Sequence, residues 1–223
     1  MEVYVSINGV LRNFLQKFTN HYNDNYIECE IVPTKIISSI IPEDLEEGIT
    51  EQVVEDNGFI YEVKPPIYNG NILDHFTFQS DDEYRYFTYV EFALELFGYA
   101  GLSNPTAMSD LNRLIQDNSN VNFTLIGLDE FGKATPSTLF FLSKNACLVK
   151  NIRFIKSEDL SEEWNKCDIW ITDSQEITKL CPSDKKVVKF NTEYNNDFTI
   201  NLEINKLTEV DPSWLTYTEN IIT

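Results

Sequence analysis

Histidine is scarce in this chain: there are two, His21 and His75, far apart. The four cysteines, Cys29, Cys147, Cys167 and Cys181, form no C-x-x-C pair. A zinc centre and a disulfide framework both lack their ligand spacing. The thiols are expected to be reduced and partly buried. Positive charge is also short, with 17 Lys and Arg against 36 Asp and Glu, a net charge of −19. A nucleic-acid binder needs a positive footprint to displace phosphate counterions, so direct DNA or RNA binding is disfavoured. The acidity serves solubility and self-repulsion, or else docking onto a basic partner. No apolar run approaches the roughly 20 residues that span a bilayer, and the first thirty residues lack a signal-peptide pattern. The expectation is a soluble protein, without membrane contact, that stays where it is made.

Apolar residues make up 42% and aromatics 13% of the 223 residues. That argues against disorder and for one domain, or one domain carrying an insertion. Val3 to Ile7 reads as a strand. Leu11, Phe14, Leu15, Phe18 and Tyr22 follow at helical spacing. Two β-prone runs, Ile49–Val54 and Phe59–Val63, flank Asn57-Gly58, a hairpin signal. Ser80 to Glu83 is a capping box opening an apolar helix that ends at Gly98, read as a left-handed stop. Such a helix is buried between layers or presents a face to a partner. Asn104-Pro105 starts a helix to about Gln116. Val121–Leu128 is a continuous apolar strand, and Thr135-Pro136 begins the next helix. Strands at Ile152–Ile155, Ile169–Ile171 and Val187–Phe190 alternate with helical turns, and Thr199–Ile204 is a candidate last strand. This alternation predicts an α/β fold with a parallel, Rossmann-like sheet and flanking helices.

The order of these pieces carries a resemblance. VYVSINGVLRN ends a strand in a tight loop. NFTLIGLDEFGKATPSTLFFLSK, NIRFIK and CDIWITDSQEI supply later strand–loop–helix steps, with VVKFNTEYN as the last core strand. The chain resembles the haloacid dehalogenase-like (HAD) superfamily, and more narrowly its 5′(3′)-deoxyribonucleotidase-like branch. The resemblance implies a core of residues 1–13 and 105–210, an inserted mixed α+β cap at 14–104, and a tail at 211–223. It also implies phosphotransfer chemistry. There a carboxylate attacks the phosphate ester, a second one two residues on protonates the leaving oxygen, and Mg²⁺ neutralises the phosphoryl charge.

Position by position, that chemistry is depleted. The nucleophile position holds Ser6 and the acid/base position Asn8, while Gly9 keeps the turn. The phosphate-gripping hydroxyl falls near Gly127, with Thr124 earlier in the strand. Lys133 matches the phosphate lysine, with Lys144 as fallback, although a surface role serves Lys133 equally. The metal-binding acidic pair aligns with Thr172-Asp173, so only Asp173 survives, and it doubles as a cap for the helix through Leu180. Asn8 and Gly9 both tolerate the backbone geometry of a tight turn. A serine nucleophile needs a base, and none stands nearby in sequence. Losing two carboxylates leaves a thin site for Mg²⁺. The expectation is therefore no catalytic residues, no cofactor and no metal, with Mg²⁺ required only by the alternative of a phosphatase or nucleotidase with a variant loop. A third possibility is a phosphate or nucleotide sensor. Composition and the degenerate core are similar to proteins of large tailed bacteriophages. That resemblance implies protein partners, a homo-oligomer or other virion proteins in a neck, tail ring or capsid-associated position. It also implies synthesis in the host cytoplasm.

Overall fold

The computed structural model describes residues 1–26, Gly70 and 72–215. The hairpin expected at 49–64, Cys29 and the tail beyond residue 215 lie outside the described residues. The helices are α1 (Phe14–His21), α2 (Ile72–His75), α3 (Asp81–Tyr86), α4 (Ala107–Asp117), α5 (Thr135–Lys144), α6 (Leu160–Trp164) and α7 (Gln175–Lys179). The strands are β1 (Glu2–Ser6), β2 (Asn122–Leu128), β3 (Asn151–Ile155), β4 (Ile169–Thr172), β5 (Lys186–Phe190) and β6 (Glu203–Ile204). They form one parallel sheet in the order β3-β2-β1-β4-β5-β6. Parallel neighbours need crossovers, and α5, α6 and α7 supply them between β2, β3, β4 and β5. The α/β, Rossmann-like expectation is met.

Alternation along β1 sorts the two faces of the sheet. Val3, Val5 and Ile7 join Leu125, Ile171 and Val188 in a cluster closed by Leu111 of α4 and Phe141 of α5. Tyr4 joins Ile126 and Trp170 on the other face, covered by Leu160 and Trp164 of α6 and Ile177 of α7. Both faces are covered, which is why the strands read as continuous apolar runs rather than alternating ones.

A further cluster gathers Leu15, Phe18, Tyr22 and Tyr26 with Phe76, Phe87, Leu96 and Phe97. Its rings meet mostly edge-on, as their quadrupoles favour: Phe18 and Phe76 have centroids 4.9 Å apart at 75°, and Tyr22 and Phe76 5.0 Å apart at 73°. The chain enters and leaves this part side by side. Asn13 N donates to Gly101 O (3.0 Å) and Ser103 N to Leu11 O (2.9 Å).

Several boundaries differ from the sequence pattern. Leu11 is not helical: α1 begins at Phe14, with Asn13 Oδ1 accepting from Gln16 N. Ser80 does cap α3, accepting from Glu83 N at 3.2 Å, but Glu83 reaches back to Gln79 N. After Tyr86 the helix widens into two π-helical turns, 87–91 and 94–98. Phe87, Leu96 and Phe97 are buried, whereas Tyr86, Val90 and Leu94 are exposed, so this segment is apolar all round without being buried all round. Gly98 is not left-handed; positive φ among the described residues occurs at Gly9, Gly132 and Ala146. A Cβ at Gly98 would stand 2.9 Å from Leu94 Cδ1 and 3.1 Å from Phe140 Cδ1, so glycine serves close approach to α5. The last strand is only Glu203–Ile204, shorter than the 199–204 run suggests. Cys147, Cys167 and Cys181 are free thiols, buried or partly so.

Candidate functional site

In an open parallel sheet, ligands bind where neighbouring strands send their chains to opposite sides, outside the carboxyl ends. Here that point lies between β1 and β4, and the Ser6–Gly9 and Thr172–Asp173 segments meet there. Leu11 N and Arg12 N both donate to Ile7 O (3.1 and 2.9 Å), and Gly9 N donates to Arg12 O (2.9 Å). Gly9 takes φ +74°, and a Cβ on it would lie 1.9 Å from Asp173 Oδ2. Positive φ and the carboxyl beneath it each demand glycine. Asn8 has no positive φ, so backbone tolerance does not explain it.

Ser6 and Thr172 form a buried hydroxyl pair. Ser6 Oγ donates to Thr172 Oγ1 at 2.9 Å and accepts from Trp170 Nε1 at 3.1 Å. Thr172 Oγ1 also accepts from Ser174 N at 3.1 Å. Trp170 is fully buried on β4, edge-on to Tyr4 with centroids 5.3 Å apart. A buried indole N–H needs an acceptor, and Ser6 is that acceptor.

Asn8 is held by its side chain. Asn8 Oδ1 accepts from Arg12 Nε (2.8 Å) and Nη2 (2.5 Å). Arg12 is 1% exposed and also donates to Phe97 O (2.6 Å) and Thr138 Oγ1 (3.0 Å). Its guanidinium lies 5.1 Å from the Phe97 ring centroid and 5.3 Å from that of Phe141. Among the described residues no carboxylate pairs with it, and burial pulls its pKa down to about 9.

Asp173 points its carboxyl inward beneath Gly9. Burial raises its pKa to about 6, against the hydrogen bond from Tyr194 OH (2.8 Å), which favours the anion. Burial first, then the Asp173 charge, pushes the Tyr194 phenol well above its ordinary value. Asn195 secures the neighbouring backbone, donating to Asp173 O (3.1 Å) and Phe190 O (2.9 Å). The N-cap of α7 is Ser174, accepting from Ile177 N at 3.3 Å, rather than Asp173.

The remaining candidates stand elsewhere. Gly127 lies within β2, and a Cβ there would be 2.9 Å from the Phe154 ring, so packing dictates it. Thr124 Oγ1 donates to Glu2 Oε1 at 2.5 Å, several residues before the strand end. Lys133 is exposed in the β2–α5 loop, and its backbone N donates to Asp129 Oδ1 at 3.1 Å. Lys144 Nζ, at the far end of α5, donates to Gly98 O at 3.3 Å. Asp129 organises that loop. Burial opposes its charge, but bonds from the Thr135 hydroxyl and from backbone N–H groups of the loop outweigh it and hold its pKa low.

Mg²⁺ does not suit this loop. Ser6 and Thr172 offer only hydroxyls already bonded to each other, Asn8 Oδ1 is filled by a cationic guanidinium, and the Asp173 carboxyl is turned under Gly9. Among the described residues, no three His, Cys, Asp or Glu side chains group as metal ligands.

Beside the loop opens a cleft of about 710 Å³, bordered by Gly9, by α1, by Ser103-Asn104 and by the 190–196 segment after β5. Sequence reasoning missed Arg12, Trp170, Tyr194 and Asn195. A lone arginine inside the run Val10–Leu15, four residues after Asn8, is the signal that was available for the first. The others join the site from distant segments, with no local mark. No protein-family model matches the chain, and no curated protein matches it. Among the described residues, no helix is long and apolar enough to cross a membrane.

Proposed function

We propose that this chain is a catalytically inactive HAD-like protein with a structural or assembly role, a component of a phage virion such as a neck or tail ring or a capsid-associated protein. The observation that carries the inactive reading is the Ser6–Thr172 hydroxyl pair at 2.9 Å with the Trp170 indole bonded to it. A nucleophile must be free and activated by a base. Ser6 is buried, committed to two partners, and has no base among them. The acid/base position is filled by an amide that neutralises nothing and serves Arg12. Both polar side chains are explained by satisfaction of buried groups.

The strand order, the loop at the switch point and the side-by-side exit and return at residues 11–13 and 101–103 agree with a HAD-like core carrying an inserted segment. The assembly role draws on exposed apolar side chains: Tyr99 packs on Phe140 of α5, Leu94 and Phe140 both approach Gly98, and Tyr86, Val90 and Leu139 are exposed as well. Apolar patches of this kind mark interaction surfaces. The virion setting rests on composition.

The test is phosphatase turnover with Mg²⁺ on p-nitrophenyl phosphate and deoxynucleoside monophosphates, for the natural chain and for Ser6→Asp/Asn8→Asp. The expected result for the natural chain is turnover at the background rate. Turnover that disappears on chelation would sink the inactive reading and establish the variant-loop phosphatase. Light scattering addresses assembly separately: a strictly monomeric species, both purified and in its source extract, would overturn it.

A further inference from the structure

The cleft beside Gly9 has a chemistry unlike that of a phosphate site. Its volume of about 710 Å³ falls within the roughly 300–1,000 Å³ usual for ligand clefts. Five asparagines and Gln16 line it, together with Thr19, Ser103, Thr192 and Tyr194. Among the described residues no Lys, Arg or His lines it, and Glu193 is the one carboxylate there. An anion would meet no counter-charge from the described residues, inside a protein whose net charge is −19.

The amides are oriented with capacity to spare. Asn13 and Asn104 use Oδ1 to accept from Gln16 N and Thr106 N, leaving both NH₂ groups without a partner among the described residues. Asn191 Nδ2 donates to Asn205 Oδ1 at 3.4 Å, which leaves the Asn191 oxygen and the Asn205 NH₂ open. Thr192 Oγ1 is shut from solvent with no hydrogen-bond partner among the described residues. Asn13, Asn104 and Asn205 thus offer amide donors and Asn191 an amide oxygen, the groups that meet sugar hydroxyls. Tyr194, its OH fixed on Asp173, adds an anchored aromatic ring to the wall. Among the described residues, apolar lining is limited to Leu15 and Phe190 beside the aromatic Tyr194, too little for the side-chain pockets by which peptides are read.

We propose that this cleft binds a neutral, hydroxyl-rich ligand, a saccharide unit, held by Asn13, Asn104, Asn191 and Asn205 with Glu193 as an acceptor and Tyr194 as a wall. The site needs no phosphoryl chemistry, so it stands or falls apart from the inactive reading above.

The test uses the full chain and saturation-transfer NMR with maltose, cellobiose and N,N′-diacetylchitobiose at about 10 mM, a concentration that reveals even millimolar binding. A parallel arm measures cosedimentation with insoluble amylose, cellulose and chitin, which separates a free sugar from a polymer as the source. Inorganic phosphate and adenosine are the controls. The expected result is binding to at least one saccharide in either arm, unaffected by high salt because no charge is neutralised. Asn205→Ala and Asn191→Ala should each weaken it about three- to tenfold, the effect of one lost hydrogen bond, with unchanged melting temperature. No signal from any saccharide in either arm overturns the proposal. So does binding that salt abolishes, binding that both variants leave untouched, or phosphate or adenosine binding in place of sugar.

Discussion

Asp173 holds a carboxyl in a position where charge is costly, and its titration makes that measurable. Its pKa is raised from 3.8 to about 6 by burial. The folded chain therefore binds more protons than the unfolded chain between those values. Stability is fullest below about pH 4 and is lost as pH rises through about 6. At pH 7 the ionised group costs on the order of 2–3 kcal/mol. Asp173→Asn keeps an oxygen to accept from Tyr194 and removes that cost. Urea denaturation should show the variant more stable than the natural chain at pH 7, with the gap closing as pH falls toward 4. A pH-independent gap would mean that Asp173 acts by shape alone. The same residue shows what was legible locally. The D-S-Q-E spacing announces a capped helix, and a capped helix is present, but Ser174 supplies the cap. Asp173 was freed for Tyr194, a partner that sequence proximity could not indicate.

Elements were mostly legible because their apolar periods are strong. β1, β2, β4 and β5 appear close to where the pattern puts them, since strands covered on both faces must be apolar throughout. The failures came where tertiary packing overrides local signals. The glycine at 98 follows from close approach to α5, which no local pattern encodes, and the π-helical turns after Tyr86 carry no local mark either. Gly127 is similar. A missing hydroxyl at that position looks like a lost ligand, yet the Phe154 ring lies where a Cβ would go. Gly127→Ala should push this ring and the adjoining β3 away from β2. Overpacking of this kind costs about 1–3 kcal/mol. Thermal unfolding should show a lowered melting temperature, partly restored by Phe154→Leu in the same chain. If Gly127→Ala melts like the natural chain, packing does not explain the glycine.

At the scale of the whole molecule, Arg12 is the joint. It links the loop after β1 through Asn8, the aromatic cluster through Phe97, and α5 through Thr138. Arg12→Met keeps the stem between the rings of Phe97 and Phe141 but leaves three acceptors unpaired. The expected loss is about 3 kcal/mol or more, at roughly 1–3 kcal/mol for an unsatisfied buried group. Two probes can see the parts separately. Trp164, Trp170 and Trp214 all belong to the sheet and its covering, whereas the cluster around Phe18 holds tyrosine and phenylalanine rings and no tryptophan. In the natural chain, tryptophan fluorescence and tyrosine near-ultraviolet circular dichroism should lose signal together, as in two-state unfolding. In Arg12→Met the tyrosine signal should go first. Coincident transitions in the variant would show that the two parts are joined by something other than this arginine.

The sequence by itself determined the class of fold, because strand and helix periods and the parallel arrangement follow from where apolar residues recur. It also determined that Ser6, Asn8 and Thr172 are not carboxylates, a fact of composition that no folding can alter. Only the tertiary structure decided what these residues do instead. Ser6 answers a buried tryptophan 164 residues away, and Asn8 answers an arginine whose other partners lie on two further segments. A buried donor or acceptor is paired by whatever the fold brings within about 3 Å, and that distance is set by packing across the sheet rather than by neighbours along the chain.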